Sequence, residues 1–363
     1  MKQILCLSND PWSSCPGRTQ QLISRLKDTQ ILYFFPAAQS TDRVFLQKGR
    51  QVRPNVTVYS LPRRLFPLDE RHGYLFRMGQ RRLGRFVAEQ AARHRFRDPL
   101  LWTTNPEHVH LLDVLHYDGL VYDCERVWDD LPPMWEGCLA NAADVVFAAS
   151  SPLCDRLSPC SSNIALLPNG ANYPLFSGET ANPRPDPLPQ ASGPVLGWAG
   201  TIHEDLDLSS LLYAALEQPN WTFLLLGRQM GNRLLSRLHR LPNVEFAGPC
   251  PLSEVPDWLY RCDVLLDFLQ EDRSCDDVIS SRIYEYLSTG KPVVSMLWPD
   301  QVEPFPDVIY GAHSEQEFLT SCRHALEEVQ DFVSQRRRAH AAAAAWPNRA
   351  AEVTRILDTA GLL

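Results

Sequence analysis

No apolar run in this 363-residue chain approaches the roughly 20 residues that a membrane-spanning helix needs. The first residues, MKQILCLSNDPW, are interrupted too soon to read as a secretory leader. An excess of positive charge is also missing: the formal net charge is −8, and a general nucleic-acid binder needs a basic footprint. The cysteines never fall in CxxC spacing, so a zinc site is not expected; a divalent metal is not predicted either. Cys6 and Cys124 lie inside apolar runs and read as small packed hydrophobes in a reducing, cytoplasmic compartment. No GxGxxG follows the first apolar run, which argues against a dinucleotide-dependent dehydrogenase.

What is present is a repeated alternation. Short apolar runs, at 4–7, 31–35, 56–61, 100–103, 120–122, 145–149 and 164–167, are separated in places by helical patterns such as 18–27 and 77–93. The alternation restarts at 195–199 and continues through runs at 222–226, 244–247, 264–268, 293–297 and 308–310. Helical patterns lie between these runs, including 208–216, 233–238, 255–260, 282–287 and 315–329. Continuous apolar runs alternating with helices predict parallel sheets covered on both faces. The reading is therefore α/β, with two Rossmann-like doubly wound domains facing a cleft.

An N-terminal domain is expected over 1–172, a connection over 173–194 and a second domain over 195–335. The connection holds six prolines, which disfavour both helix and central strand. The Ala- and Arg-rich tail, 336–363, should be helical with a break at Pro347 and pack back on the N-terminal domain.

In such sheets ligands sit beyond the carboxyl ends of the strands. Gly200 and Thr201 follow one predicted strand, and Gly227 and Arg228 follow the next. Glycine there permits close backbone approach to a ligand, and Arg228 offers a cation for phosphate. The stretch SSRIYEYLSTGKPVVS then places Ser281, Arg282, Glu285, Ser288 and Thr289 on one helical face. That face is either solvated, with an Arg282–Glu285 ion pair, or aimed at a ligand. In the second case Glu285 can accept hydrogen bonds from vicinal ribose hydroxyls.

The segment DDVISSRIYEYLSTGKPVVS resembles the donor-binding motif of family-4-like glycosyltransferases of the GT-B fold, in particular the bacterial polysaccharide and teichuronic-acid-type group. GWAGTIHEDLDLSSLL, LPNGANYPLF, GRTQQLISRL and VYDCERVWDDLP are similar to further family segments in the expected order. The resemblance implies an enzyme that moves a sugar from a nucleoside diphosphate to a glycan or lipid-linked acceptor, with no tightly bound cofactor. It places Glu285 on the ribose, Asp277 in the earlier acidic position, and Gly200 and Thr201 near the diphosphate. Ser281 and Arg282 stand where relatives often carry apolar and Lys residues. Many relatives have Arg and Lys where this chain has Thr201 and Leu206, so the phosphate charge must be met by Arg228, Arg282 or Arg273, by backbone dipoles, or by a metal. A nucleotide-sugar epimerase and a non-catalytic relative of the same fold are the alternatives.

In the first half, Arg18 opens a helix after the loop SNDPWSSCPG and is a candidate for phosphate or acceptor contact. Asp123 and Glu125 follow the run at 120–122 and are the candidate general bases, Asp123 ranked first. His108, His110 and His203 are further candidates. The segment 63–97 holds ten arginines interleaved with apolar residues. It reads either as a helix with a solvated basic face and a core face, or as a basic amphipathic surface for anionic lipid at the inner face of a membrane.

Overall fold

The computed structural model describes residues 1–36, 48–62, 73–178, 193–268, 278–296, 308–329 and 331–363. The chain divides into two compact units, Met1–Pro168 with Pro347–Leu363, and Asn169–Trp346.

The first unit is built on eight strands: β1 (Lys2–Leu7), β2 (Thr29–Phe35), β3 (Arg50–Arg53), β4 (Val56–Ser60), β5 (Leu100–Thr103), β6 (Gly119–Cys124), β7 (Val145–Ala148) and β8 (Ile164–Leu166). Their order is β3-β4-β2-β1-β5-β6-β7-β8, with only β3 antiparallel to its neighbour. The central strands are apolar because both faces are covered; β5, β6 and β7 are buried throughout. Trp102 of β5 and Phe147 of β7 stack 5.6 Å apart in this core. Strand β3, with the sequence RQVR, is polar and mostly exposed, as an edge strand can be. Apolar patterning therefore did not reveal it.

The helix Gly73–Arg93 buries Leu83 and Val87, and Gly84 approaches Val114 so closely that a Cβ there would lie 2.7 Å from that side chain. The segment Pro347–Leu363 belongs to this unit, and Leu362 packs over Gly119 at the start of β6.

The second unit carries β9 (Val195–Ala199), β10 (Thr222–Leu226), β11 (Val244–Gly248), β12 (Val264–Asp267), β13 (Val293–Met296) and β14 (Tyr310–Ala312). The order is β11-β10-β9-β12-β13-β14, all parallel. Each run that sequence periodicity marked as a strand in this half is represented, although the last is displaced to Tyr310–Ala312. Helix Asp331–Ala343 lies against helix Ser281–Thr289 within this unit. Arg337 ties it down: the side chain is buried, donates to the Val308 carbonyl at 2.8 Å and forms a two-pronged pair with Glu328 at 2.6 Å. Of the span read as a connection, Tyr173–Phe176 form a helical turn, and 179–192 lie outside the described residues.

Among the described residues the cysteines are free, with Cys6, Cys124, Cys262 and Cys322 buried. Burial pushes the Cys124 and Cys262 thiols up to about 12. No described helix is long and apolar enough to cross a membrane.

Candidate functional site

At the carboxyl edge of the second sheet, two glycine turns are laced together. The Gly200 N–H donates to the Leu226 carbonyl at 2.9 Å, and the Gly227 N–H to the Gly248 carbonyl at 2.9 Å. Gly227 has φ +139, and a Cβ there would fall 1.7 Å from the Gly200 carbonyl oxygen. Only glycine allows that approach. Arg228 follows on the exposed side; its carbonyl accepts the Ile202 N–H at 2.8 Å, its side chain has no ion pair or hydrogen bond among the described residues, and Thr201 is exposed beside it. Leu206 is buried in the core of this unit and offers the surface no polar group.

The helix Ser281–Thr289 points its first turn at this edge. Ser280 occupies the N-cap position, but no described side chain caps the helix, and Ser281 begins it half-buried. Gly290 ends it in the left-handed region at φ +77. Tyr286 reaches across and accepts the Ala199 N–H at 2.8 Å, fastening the helix to the end of β9. Ser288 and Thr289, expected on the same polar face as Glu285, are buried and bond back to the carbonyls of Tyr284 and Tyr286. Only the first half of that face is available to a ligand.

Arg282 does not pair with Glu285. Its Nη1 donates to Asp267 Oδ1 at 2.8 Å, and its guanidinium lies 5.1 Å from the Trp198 ring centroid. Glu285, one turn further on, is half-buried, and its side chain has no hydrogen bond or ion pair among the described residues. Burial raises its carboxyl to about 7, with the nearby Arg282 charge pulling the other way. Burial likewise pushes the Asp267 carboxyl up, offset by Arg282. Asp277 and Arg273 lie outside the described residues.

This edge therefore gathers Gly200, Thr201, Arg228, Ser281, Arg282 and Glu285. Two cations, glycine turns that admit close approach and a carboxylate lacking a side-chain partner among the described residues suit a ligand with an anionic group beside hydroxyls. A cavity of about 740 Å³ lies elsewhere, at the opposite edge of the sheet, where Pro194, Asp263 and Pro292 precede β9, β12 and β13. Ligands of open α/β sheets bind at the carboxyl edge, so the glycine turns are the better candidate.

In the first unit, the corresponding edge holds a buried ion pair. Arg18 and Asp123 are 6% and 0% exposed, and both Nε and Nη2 of Arg18 donate to Asp123 Oδ1, at 2.9 and 2.8 Å. Asp123 Oδ2 is buried with no hydrogen-bond partner among the described residues. Arg18 is thus no solvated first-turn residue. Glu125, two residues on, is half-buried. Burial, then the negative charges of Asp10 and Asp123, raise its carboxyl to about 8 against the pull of Arg18 and Arg126. Arg126 stacks 4.1 Å from the Trp128 ring centroid.

The histidines have structural partners. His108 Nδ1 lies 2.6 Å from Thr103 Oγ1, His110 meets Phe76 and Trp135 edge to face, and His203 pairs with Asp205 at 3.6 Å. No group of three His, Cys, Asp or Glu residues placed to hold a metal ion occurs among the described residues.

No family model matches the chain. A curated relative is TuaH of Bacillus subtilis strain 168, whose name assigns it provisionally as a teichuronic acid biosynthesis glycosyltransferase. It is 28% identical over 256 residues, a match spanning 64% of this chain and 64% of the relative. The chain thus matches less than two thirds of that relative's length. Among solved structures, a sucrose-phosphate synthase from Thermosynechococcus elongatus has a TM-score of 0.75 at 16% identity and covers 99% of both chains. HepE of Anabaena, solved in complex with UDP and glucose, has a TM-score of 0.68 at 16% identity over 99% of this chain and 100% of that one.

The fold is GT-B. At these identities the structural likeness establishes the fold, and the site has to be argued from its own residues. Asp267, which sequence patterning did not single out, had one visible signal: a carboxylate closing the otherwise apolar strand VLLD.

Proposed function

We propose that this protein transfers a glycosyl group from a nucleoside-diphosphate sugar to a glycan or lipid-linked acceptor in cell-surface polysaccharide synthesis. The observation that carries the reading is Glu285: a half-buried carboxylate without a side-chain partner among the described residues, one helical turn from Arg282, whose Nη2 sits against the Gly200 turn. Burying such a group is costly unless something hydrogen-bonds it. Vicinal ribose hydroxyls would supply that, while Arg282, Arg228 and the exposed Thr201 meet the diphosphate at the turn that Gly200 shapes. Ser281 lies at the positive end of the same helix. Asp277 is assigned to the sugar by its place in the motif.

In the reaction, the bond from the anomeric carbon to the leaving phosphate oxygen breaks, an acceptor oxygen bonds to that carbon, and the acceptor hydroxyl loses its proton. We place proton acceptance on Glu125 and give Asp123 the task of holding Arg18. Asp123 is sealed into an ion pair, whereas Glu125 is partly open and burial raises its proton affinity. Arg18 then stabilises negative charge at the acceptor side rather than contacting phosphate from solvent.

The exposed face of helix Gly73–Arg93 supports a peripheral membrane contact at the inner face. Arg77, Arg81, Arg82 and Arg85 share it with Tyr74 and Met78, which are 77% and 47% exposed. Arginines beside exposed apolar side chains suit anionic headgroups. Residues 63–72 of the basic segment lie outside the described residues.

The test is thermal shift with a panel of nucleoside diphosphates. A ligand at 100 times its Kd stabilises the native state by about 2.7 kcal/mol. One nucleotide should raise the melting temperature, and Glu285→Ala should lose that shift. If no nucleotide stabilises the wild-type protein, the reading fails.

A further inference from the structure

The site has an orienting carboxylate that no sequence motif assigns. We propose that Asp267 is a positioning residue for phosphate recognition: it fixes the direction of the Arg282 guanidinium, and its charge is incidental to that task. The proposal rests on the nucleotide-sugar reading above.

Asp267 closes β12 and is 7% exposed. A carboxylate so deep is costly unless it is paired and hydrogen-bonded. Two side chains serve it, beside a backbone hydrogen bond from Phe268. Arg282 Nη1 donates to Oδ1 at 2.8 Å, and Ser295 Oγ, wholly buried on the adjacent β13, lies 3.4 Å from Oδ2. The register Asp267↔Ser295 of the two parallel strands places the hydroxyl there. The carboxylate is therefore braced by the sheet before it braces anything else.

Arg282 is gripped on three sides. Asp267 takes Nη1, and Trp198 of β9 lies under the guanidinium. Nη2 sits against the Gly200 turn, where a Cβ on Gly200 would come within 3.0 Å of it. An arginine side chain is otherwise among the most flexible, and a planar fork binds phosphate well only when its donors face one way. Thr201 and the buried Leu206 add no cation at this edge, which leaves Arg228 beside Arg282. Orientation of Arg282 then matters more than it would in a site with several cations. A carboxylate 2.8 Å from the guanidinium cannot raise affinity for an anion by its charge, so its contribution must be geometric.

That distinction gives the test. Asp267→Asn keeps an oxygen acceptor for Nη1 and removes the charge. Asp267→Glu keeps the charge and displaces the acceptor by one methylene. Both are conservative enough to fold, which a thermal melt checks. The probe is uridine diphosphate, with uridine as the phosphate-free control, measured by calorimetry on the full chain.

Positioning predicts that Asp267→Asn binds uridine diphosphate within about threefold of wild type, while Asp267→Glu loses about tenfold. Neither should change the response to uridine. In an Arg282→Ala background, Asp267→Glu should cost nothing further.

The proposal is overturned if the order of the two variants reverses, if both bind as wild type, or if the Asp267→Glu loss persists in full without Arg282. Should the wild-type protein bind no nucleoside diphosphate at all, the nucleotide-sugar reading falls and this proposal with it. Wild-type binding with an additive pair sinks the positioning role alone.

Discussion

Glu285→Gln should make the protein more stable and less able to bind, and the two effects can be separated by pH. The Glu285 carboxyl is raised from an ordinary 4.5 to about 7. Folded-state protonation is therefore favoured, and the stability it brings is complete below about pH 4.5 and lost as pH rises through about 7. The full difference corresponds to about 3 kcal/mol. Glu285 is partly solvated, so about 1–2 kcal/mol is the realistic expectation. Glutamine has nothing to ionise. Urea midpoints of wild type and Glu285→Gln should thus nearly coincide at pH 5 and separate at pH 8, the variant being the more stable by that amount. With uridine diphosphate present at pH 8 the order should narrow or invert, because hydrogen bonds to a charged group are worth about 1.5–3 kcal/mol. A gap that is the same at both pH values, or one favouring wild type without ligand, would refute the reasoning.

Arg18→Met should destabilise the first unit by about 3–5 kcal/mol, because it strands the buried Asp123 carboxylate; chemical denaturation reads this directly. Gly227→Ala places a Cβ against the Gly200 carbonyl in a backbone conformation that alanine resists, and a cost above about 2 kcal/mol is expected in the same assay. Replacing Arg77, Arg81 and Arg85 by Gln should weaken sedimentation with phosphatidylserine vesicles roughly a hundredfold, at about 1 kcal/mol per arginine. Loss of binding to neutral vesicles as well would contradict an electrostatic contact. If Glu125 carries the acceptor proton, the rate of transfer should rise with pH towards about 8 and level off above it, and Glu125→Gln should remove that dependence.

Elements bounded by turn residues were legible from sequence. The runs at 100–103, 195–199 and 222–226 match β5, β9 and β10 residue for residue, and so does the helix Val255–Tyr260. Each is an apolar or periodic stretch stopped by a residue that cannot continue it. Helices Pro133–Ala142 and Ser151–Leu157 were not read. Proline at the first turn of each looks like a break in sequence, yet it is tolerated where no N–H is needed.

The candidate site divides along the same physical line. Residue type and local spacing determined that Gly200, Gly227, Arg282 and Glu285 stand at strand ends and on one helical turn, because periodicity is a property of neighbours in the chain. Which charge meets which was decided by tertiary structure. Arg282 had Glu285 within reach along its helix and chose Asp267, 15 residues away, because β12 brings that carboxylate to the same edge. Arg18 and Asp123 are 105 residues apart and form one buried pair. Parallel strand order sets such meetings, and burial then makes the partners obligatory, since a charge without water must find its opposite. The sequence by itself determined the fold class and the candidate carboxylates. The packed structure alone distinguished a sealed Asp123 from a half-open Glu125, and left Glu285 a carboxylate without a protein partner among the described residues.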